Sequence, residues 1–287
     1  MAAQVIDGNK FSEQIKADVA ARARELGRTG KRVHLTALLV GSSAPAELYA
    51  KRQGEGCQAV GIDYQLKTLP ADADHKTVGD TIASLNRDPS VNGIMLHLPV
   101  PKHLEATALQ NLIAPAKDVE GVGAASLGYL LAGKPMLIPC TALAAFELAR
   151  SAGVTLRGSQ AVVIGASAIV GKPAALLLSD ERATVSICRS ATSNLAEYTR
   201  RAQILIVAVG QASFLKAEHV SPGAVVVDVG INRITLADGT KKTVGDVDYE
   251  AVKEIAAHIT PVPGGVGPVT VAMLMRNTVR AAELQNG

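Results

Sequence analysis

Apolar residues recur along this chain in two alternating rhythms, one of helices and one of short buried strands. Phe11 to Leu26 has the three-to-four-residue spacing of an amphipathic helix closed by Gly27, and His34 to Val40 is expected to form a buried strand. Ala46 to Val60 reads as a helix stopped at Gly61, Tyr64 to Leu69 as a strand, Lys76 to Leu85 as a helix and Gly93 to Leu98 as a strand. Pro99-Val100-Pro101 interrupts the pattern before a short helix from Glu105 to Ile113. Such alternation predicts a parallel sheet whose strand C-terminal ends face one crevice.

The rhythm resumes after Lys117 to Lys134, which reads as a packed crossing because it is rich in neither Ser nor charge. A helix from Ala142 to Ala152 precedes the strand Ala161 to Gly165, the helix Val170 to Leu178 and the strand Thr184 to Cys188. The helix Leu195 to Ala202 and the strands Ile204 to Val209 and Ala224 to Val229 complete a Rossmann-like order. Asp238-Gly239 predicts a hairpin turn within Arg233 to Val244, and Val269 to Glu283 a last helix. The fold expected is therefore α/β in two domains. Residues 1–138 form the first, joined by a returning C-terminal helix at 268–287, and residues 139–267 form the second, Rossmann-like domain.

Composition narrows the partners. Of the 287 residues 48% are hydrophobic but only 3% aromatic, which suits α/β layers packed through small aliphatic side chains and disfavours nucleic-acid stacking platforms. The net charge of +3 is spread among mixed signs, without a basic block for nucleic acid or a membrane surface. Cys57, Cys140 and Cys188 are scattered with no disulfide-like or metal-like spacing, so a reducing compartment and no metal are expected. The opening MAAQVIDGNK lacks an apolar signal core, and no run of about 18 apolar residues follows. A soluble, cytoplasmic protein is the expectation.

Two loops carry candidate chemistry. In Ile259 to Thr270 two prolines stiffen the entry, Gly264, Gly265 and Gly267 expose bare backbone, and Pro268 sits where a helix would take its first residue. That suits a flat, hydrogen-bonding ligand, and a plain strand–helix turn is the alternative. The second loop, Gly165 to Pro173, runs from strand to helix without a G-x-G-x-x-G pattern, yet its position offers exposed N–H groups and a helix N-terminus to a pyrophosphate. The next strand ends Cys188-Arg189-Ser190, with no carboxylate for ribose hydroxyls. Arginine and a hydroxyl there suit a 2′-phosphate, favouring NADP and leaving NAD possible, although Arg189 could equally be a solvated surface residue.

The segments VGSSAPAELYAKRQ, GIMLHLPVP, KDVEGV, IPCT, GASAIVGKP, VVDVGINR, GDVDYEAV and ITPVPGGVGPVT, spread over almost the whole chain, resemble the bifunctional methylenetetrahydrofolate dehydrogenase/cyclohydrolase family. The resemblance implies oxidation of 5,10-methylenetetrahydrofolate with NAD(P)⁺, followed in most members by hydrolysis of the methenyl product to 10-formyltetrahydrofolate. It implies a catalytic first domain, a cofactor-binding second domain and a homodimer. It also implies that Gly165, Ala166, Ser167, Ser190 and Ile231 touch the dinucleotide. Tyr49, Leu96, Leu98, Glu120, Pro263, Gly264 and Gly265 are its implied folate contacts.

The chain departs from the family at polar positions. Tyr49 is followed four residues later by Gln53 instead of Lys, His97 replaces Gln before Leu98-Pro99, Glu120 replaces Asp, and Ala46 replaces Ser. Hydride transfer needs chiefly positioning, because the folate nitrogen's lone pair supports the developing cation. Opening the methenyl ring needs a proton for the departing nitrogen, and Gln53 has none to titrate. His97 could supply one near neutrality or simply fill space, Glu120 could hold pterin N–H groups, and Tyr49 could stack on the folate or belong to the core. Tyr49, Gln53, His97 and Glu120 are thus the candidate catalytic set. The expectation is an NADP-preferring dehydrogenase with weakened or absent cyclohydrolase activity. The alternatives are a fully bifunctional enzyme using His97, an enzyme of a modified tetrahydropterin, and a silent pterin-binding paralogue.

Overall fold

The protein's structure, a computed structural model, describes residues 2–236 and 238–286. Met1 and Gly287, the outer limits of the expected domains, and Ala237 in the expected hairpin lie outside the described residues. The chain begins with β1 (Gln4–Val5), α1 (Gly8–Arg28), β2 (His34–Val40), α2 (Ala44–Ala59), β3 (Asp63–Leu69), α3 (His75–Arg87), β4 (Gly93–Leu96), α4 (Ala106–Gln110) and α5 (Ala124–Leu131). It continues with α6 (Cys140–Ser151), β5 (Gln160–Ile164), α7 (Gly171–Asp180), β6 (Thr184–Cys188), α8 (Leu195–Thr199), β7 (Ile204–Val207) and β8 (Val225–Asp228). The last elements are β9 (Asn232–Thr235), β10 (Lys241–Val244), α9 (Tyr249–Val252), β11 (His258–Ile259) and α10 (Val266–Asn286).

Two compact units result. One combines Gln14–Cys140 with the chain from Val271 on, and the other combines the chain up to Glu13 with Thr141–Thr270. In the first, β2 lies between β3 and β4 in a parallel sheet, buried along almost its whole length. Helix α3 turns Val78, Ile82 and Leu85, spaced four and three apart, onto Leu38, Ile94 and Leu96 of that sheet. Asp74 caps its N-terminus by accepting from Thr77 N–H at 2.7 Å. At its other end the buried Lys117 donates to the carbonyls of Leu85 and Asp88 at 3.0 and 2.6 Å. The returning C-terminal helix is part of this unit: Asn277 Nδ2 donates to the carbonyls of Val119 and Ile138, both at 2.9 Å, and Arg22 pairs with Glu283 at 2.8 Å.

The second unit is built on a six-stranded parallel sheet in the order β1-β11-β8-β7-β5-β6, with β9 and β10 as a separate antiparallel hairpin. Strands β7 and β8 are buried at every residue, which explains why both are apolar up to Asp228, the last residue of β8. The chain crosses from β6 over β5 to β7, so the topological switch point lies at the C-terminal ends of β5 and β7.

The expected domain limits differ from these units at the N-terminus. Residues 1–138 were expected as one domain, but β1 pairs in parallel with β11, and Ile6 N–H donates to Ile259 C=O at 2.8 Å. A two-residue strand is too short to show alternation, and its pairing is set by a partner about 250 residues away. Helix α1 also runs through Gly27, because the positive-φ residue that ends it is Gly30, φ +76°. Helix α10 starts two residues before Pro268, which occupies a first-turn position whose missing N–H has no intrahelical acceptor to lose.

Backbone contact dictates glycine at the α7 entrance. A Cβ on Gly171 would stand 2.0 Å from Gly165 O, whereas Gly128 within α5 has open space around it. Gly171→Ala is expected to destabilise by about 1–3 kcal/mol through overpacking. Gly128→Ala should stabilise by about 0.5–1 kcal/mol by limiting the unfolded chain. Paired denaturant titrations check both signs.

Candidate active site

Helix α2 presents Tyr49 and Gln53 one turn apart on the same face. His97 follows directly on β4, at the C-terminal end of the sheet. The segment after Lys117 runs beside that strand: Ile94 N–H donates to Lys117 C=O at 2.8 Å, and Ile94 and Asp118 form a parallel bridge. This pairing brings Glu120 next to the strand end. Asp118 anchors the turn, its buried carboxylate accepting from Gly121 N–H at 3.0 Å, Gly123 N–H at 2.8 Å and the Ser126 hydroxyl at 2.7 Å.

Three segments of one unit therefore converge on a small polar group. Tyr49, half exposed, meets His97 edge-on with ring centroids 6.0 Å apart and planes at 85°. His97 is buried, and its Nε2 has no hydrogen-bond partner among the described residues. Burial also holds its pKa below the ordinary imidazole value, so the ring is neutral at neutral pH. Gln53 is buried too. Its Oε1 accepts from the Tyr64 hydroxyl at 3.3 Å and its Nε2 faces the Met95 sulfur at 3.3 Å. Burial, with Asp118 as a second cause, pushes the Glu120 carboxyl up to about 7, opposed by a backbone hydrogen bond from Leu96.

The implied folate contacts divide. Leu98 is exposed beside His97, but the Leu96 side chain lies in the core with no exposed surface, so Leu96 reaches this site through its backbone N–H. Pro263, Gly264 and Gly265 belong to the other unit, where they line a cavity of about 380 Å³ with Asn9, Ile231 and Thr243. Gly264 has φ +101°, and its carbonyl accepts from Gly8 N–H at 2.9 Å. Asp228 also borders this cavity, its carboxyl pushed up to about 6 by burial against backbone N–H donors from Gly230, Asp246 and Val247.

A second cavity, of about 590 Å³, opens at the switch point and is lined by Gly165, Ala166, Arg189, Ser190, Thr192, Val209 and Gln211. Gly165, φ +115°, lies where a Cβ would stand 2.1 Å from Ala208 O. Ser167 accepts from the N–H groups of Val170 and Gly171 at 3.2 and 3.3 Å and so caps the start of α7. Arg189 N–H donates to the Thr192 hydroxyl at 2.9 Å, closing a short turn that gathers a guanidinium and hydroxyls on exposed backbone. Thr192 was not anticipated from sequence, because its place in that turn follows from a hydrogen bond and not from a motif. Ile231, grouped by resemblance with Gly165, lines the smaller cavity instead. These residues fit a dinucleotide phosphate: small residues at a strand–helix turn, a helix N-terminus, and arginine with hydroxyls after the second strand. Among the described residues no cluster of His, Cys, Asp or Glu is placed to hold a metal, and no helix is long and apolar enough to cross a membrane.

A doubly wound nucleotide-binding unit and a separate α/β unit bearing a polar, ligand-facing cluster define a two-domain dehydrogenase architecture. The pattern of the tetrahydrofolate dehydrogenase/cyclohydrolase catalytic domain matches residues 6–120, and that of its NAD(P)-binding domain matches residues 139–286. The chain belongs to this family. The Bifunctional protein FolD of Variovorax paradoxus is 47% identical over 283 residues, 99% of each chain. The crystal structure of the bifunctional FolD methylenetetrahydrofolate dehydrogenase/cyclohydrolase from Campylobacter jejuni superposes with a TM-score of 0.93 at 39% identity, over 99% of both chains. The Trypanosoma brucei enzyme, crystallised with NADP cofactor and an inhibitor, gives 0.90 at 33% identity over 99% of this chain and 98% of its own.

Glu120 leads to a pH test. Its folded pKa of about 7 exceeds the ordinary 4.5, so between those values the folded protein keeps a proton that the unfolded chain has released. Its contribution to stability is complete below about pH 4.5 and is lost as pH rises through about 7. Glu120→Gln, permanently neutral, should melt level with wild type near pH 5 and about 3–6 °C above it near pH 8. Melting curves at both pH values decide this. Parallel curves with no pH-dependent gap would mean that the carboxyl is not desolvated.

Proposed function

We propose that this protein oxidises 5,10-methylenetetrahydrofolate to the methenyl form with NADP⁺, and that its cyclohydrolase step is weaker than its dehydrogenase step. The observation that carries the first part is the switch-point cavity with Arg189, Ser190 and Thr192 at its second strand. NADP⁺, when bound, supplies the hydride acceptor. The protein's part is to bind and orient. Gly165 and Ala166 admit the dinucleotide backbone, the capped N-terminus of α7 faces its phosphates, and the Arg189 guanidinium takes the 2′-phosphate. Tyr49 and Leu98 offer exposed faces for the pterin and Glu120 an acceptor for its N–H groups; in the nucleotide unit Pro263, Gly264 and Gly265 line a side-chain-poor cavity of their own. No proton has to move for hydride transfer, so none of these groups must titrate.

Hydrolysis differs. The ring nitrogen leaves only as it is protonated. Gln53 is held by Tyr64 and Met95 and carries no titratable proton, and burial lowers the His97 pKa and favours its neutral ring. Both features support a slow second step. Full bifunctionality is the second reading, favoured by the 47% identity with a bifunctional relative across the whole chain and by Glu120, whose carboxyl is half protonated near pH 7. We further propose a cytoplasmic homodimer, on the strength of family membership.

A single reaction followed for NADPH, methenyl and 10-formyl products tests this reading. Methenyl product should accumulate before the formyl product appears, and equal rates for the two steps would establish the bifunctional reading. Arg189→Ala should raise KM for NADP⁺ by about tenfold or more, through loss of a charge-assisted hydrogen bond, and leave KM for NAD⁺ nearly unchanged. An equal effect on both cofactors would remove Arg189 from the 2′-phosphate.

A further inference from the structure

Asp246 is fully buried and lines neither cavity of the nucleotide unit. Its carboxylate nevertheless gathers the loops that do. Oδ2 accepts from the N–H groups of Val209 and Gly210 at 2.6 and 2.8 Å, and Oδ1 accepts from Gln211 N–H at 2.9 Å and Asn232 Nδ2 at 2.8 Å. Three consecutive backbone N–H groups thus wrap one internal anion, a nest with its ligand supplied by the chain itself. Val209 and Gln211, on either side of Gly210, line the dinucleotide cavity, and Gly210 holds φ +69° to make the curl.

The same aspartate is fixed from behind. Its own N–H donates to Asp228 Oδ1 at 2.9 Å, Val247 N–H donates to Asp228 Oδ2 at 2.9 Å, and Asp228 borders the smaller cavity. Gly230 passes so close that a Cβ there would stand 2.2 Å from the Asp246 carboxyl carbon. A buried carboxylate persists only where donors surround it, and here four donors do so. With those N–H groups turned inward, the segment after β7 has one conformation to present to a ligand.

Resting on the dinucleotide reading above, we propose that Asp246 is the positioning residue of the cofactor site: it locks the loops after β7 and β8 to one another and thereby sets the binding floor. It touches no ligand. Its effect should therefore appear in cofactor affinity, not merely in the amount of folded protein.

Wild type, Asp246→Asn and Gly210→Ala are titrated with NADPH by its fluorescence and melted in parallel. Asp246→Asn keeps the shape but turns an NH₂ group toward backbone N–H donors. Gly210→Ala strains the curl at φ +69°, although nothing lies within 4 Å of the added methyl. Both should raise the NADPH Kd by about tenfold, the equivalent of one charge-assisted hydrogen bond, in protein that still melts cooperatively. A purely structural aspartate would lower Tm and leave Kd of the folded fraction unchanged, which overturns the proposal. If Asp246→Asn does not fold, an unchanged Kd for Gly210→Ala overturns it equally. Wild type that binds neither NADPH nor NADH refutes the dinucleotide reading itself, a result distinguishable from unaltered variants of a binding wild type.

Discussion

Backbone touches backbone at the C-terminal ends of the central strands in the nucleotide unit, and the site there depends on that contact. Gly165 leaves β5 with its α-carbon against Ala208 O, and Gly171 opens α7 against Gly165 O. Neither position has room for a side chain. The result is a strand–helix turn tight enough to aim the start of α7 at the switch point, where β5 and β7 diverge. A wider turn would fill with side chains the space that a phosphate requires. The missing G-x-G-x-x-G pattern is therefore no obstacle, because close approach at Gly165 and Gly171 supplies what the motif usually encodes.

The other unit obeys a different constraint, the energetics of polar groups removed from water. Asp118 is satisfied by three donors and is structural. Glu120, two residues on, lacks comparable compensation, and its carboxyl responds by holding its proton up to about 7. His97 responds to the same environment in the opposite sense, staying neutral with an unsatisfied Nε2. An orphaned nitrogen and a reluctant carboxylate beside an exposed tyrosine leave hydrogen-bonding capacity that the protein itself does not use. A ligand rich in N–H and C=O groups would use it.

Much of this was legible in the sequence because it is local. Strands β2 and β6 match the expected strands to the residue, and the turn at Asp238-Gly239 joins the expected hairpin, with Gly239 at φ +81°. Non-local pairing was not legible. Strand β1 is two exposed residues that become a strand only through β11. Leu96 was a ligand contact by resemblance, yet alternation along the strand turns its side chain into the core. Asp246 sits in a surface-like stretch of charges and glycines, and only the folded loops show four donors converging on it.

The polar cluster of Tyr49, Gln53, His97 and Glu120 carries no side chain that is cationic at neutral pH. Gln53 is held by Tyr64 and Met95 and brings no charge. Burial and the neighbouring Asp118 act on Glu120 in the same direction, and no cation offsets them. His97 sets an aromatic edge against Tyr49, and burial keeps its ring uncharged. Hydride transfer, which turns a neutral methylene adduct into a cation stabilised by its own nitrogens, tolerates such a site. Ring opening depends on a proton delivered at the right nitrogen, and in this cluster Glu120 is the group that gains and loses one near neutrality.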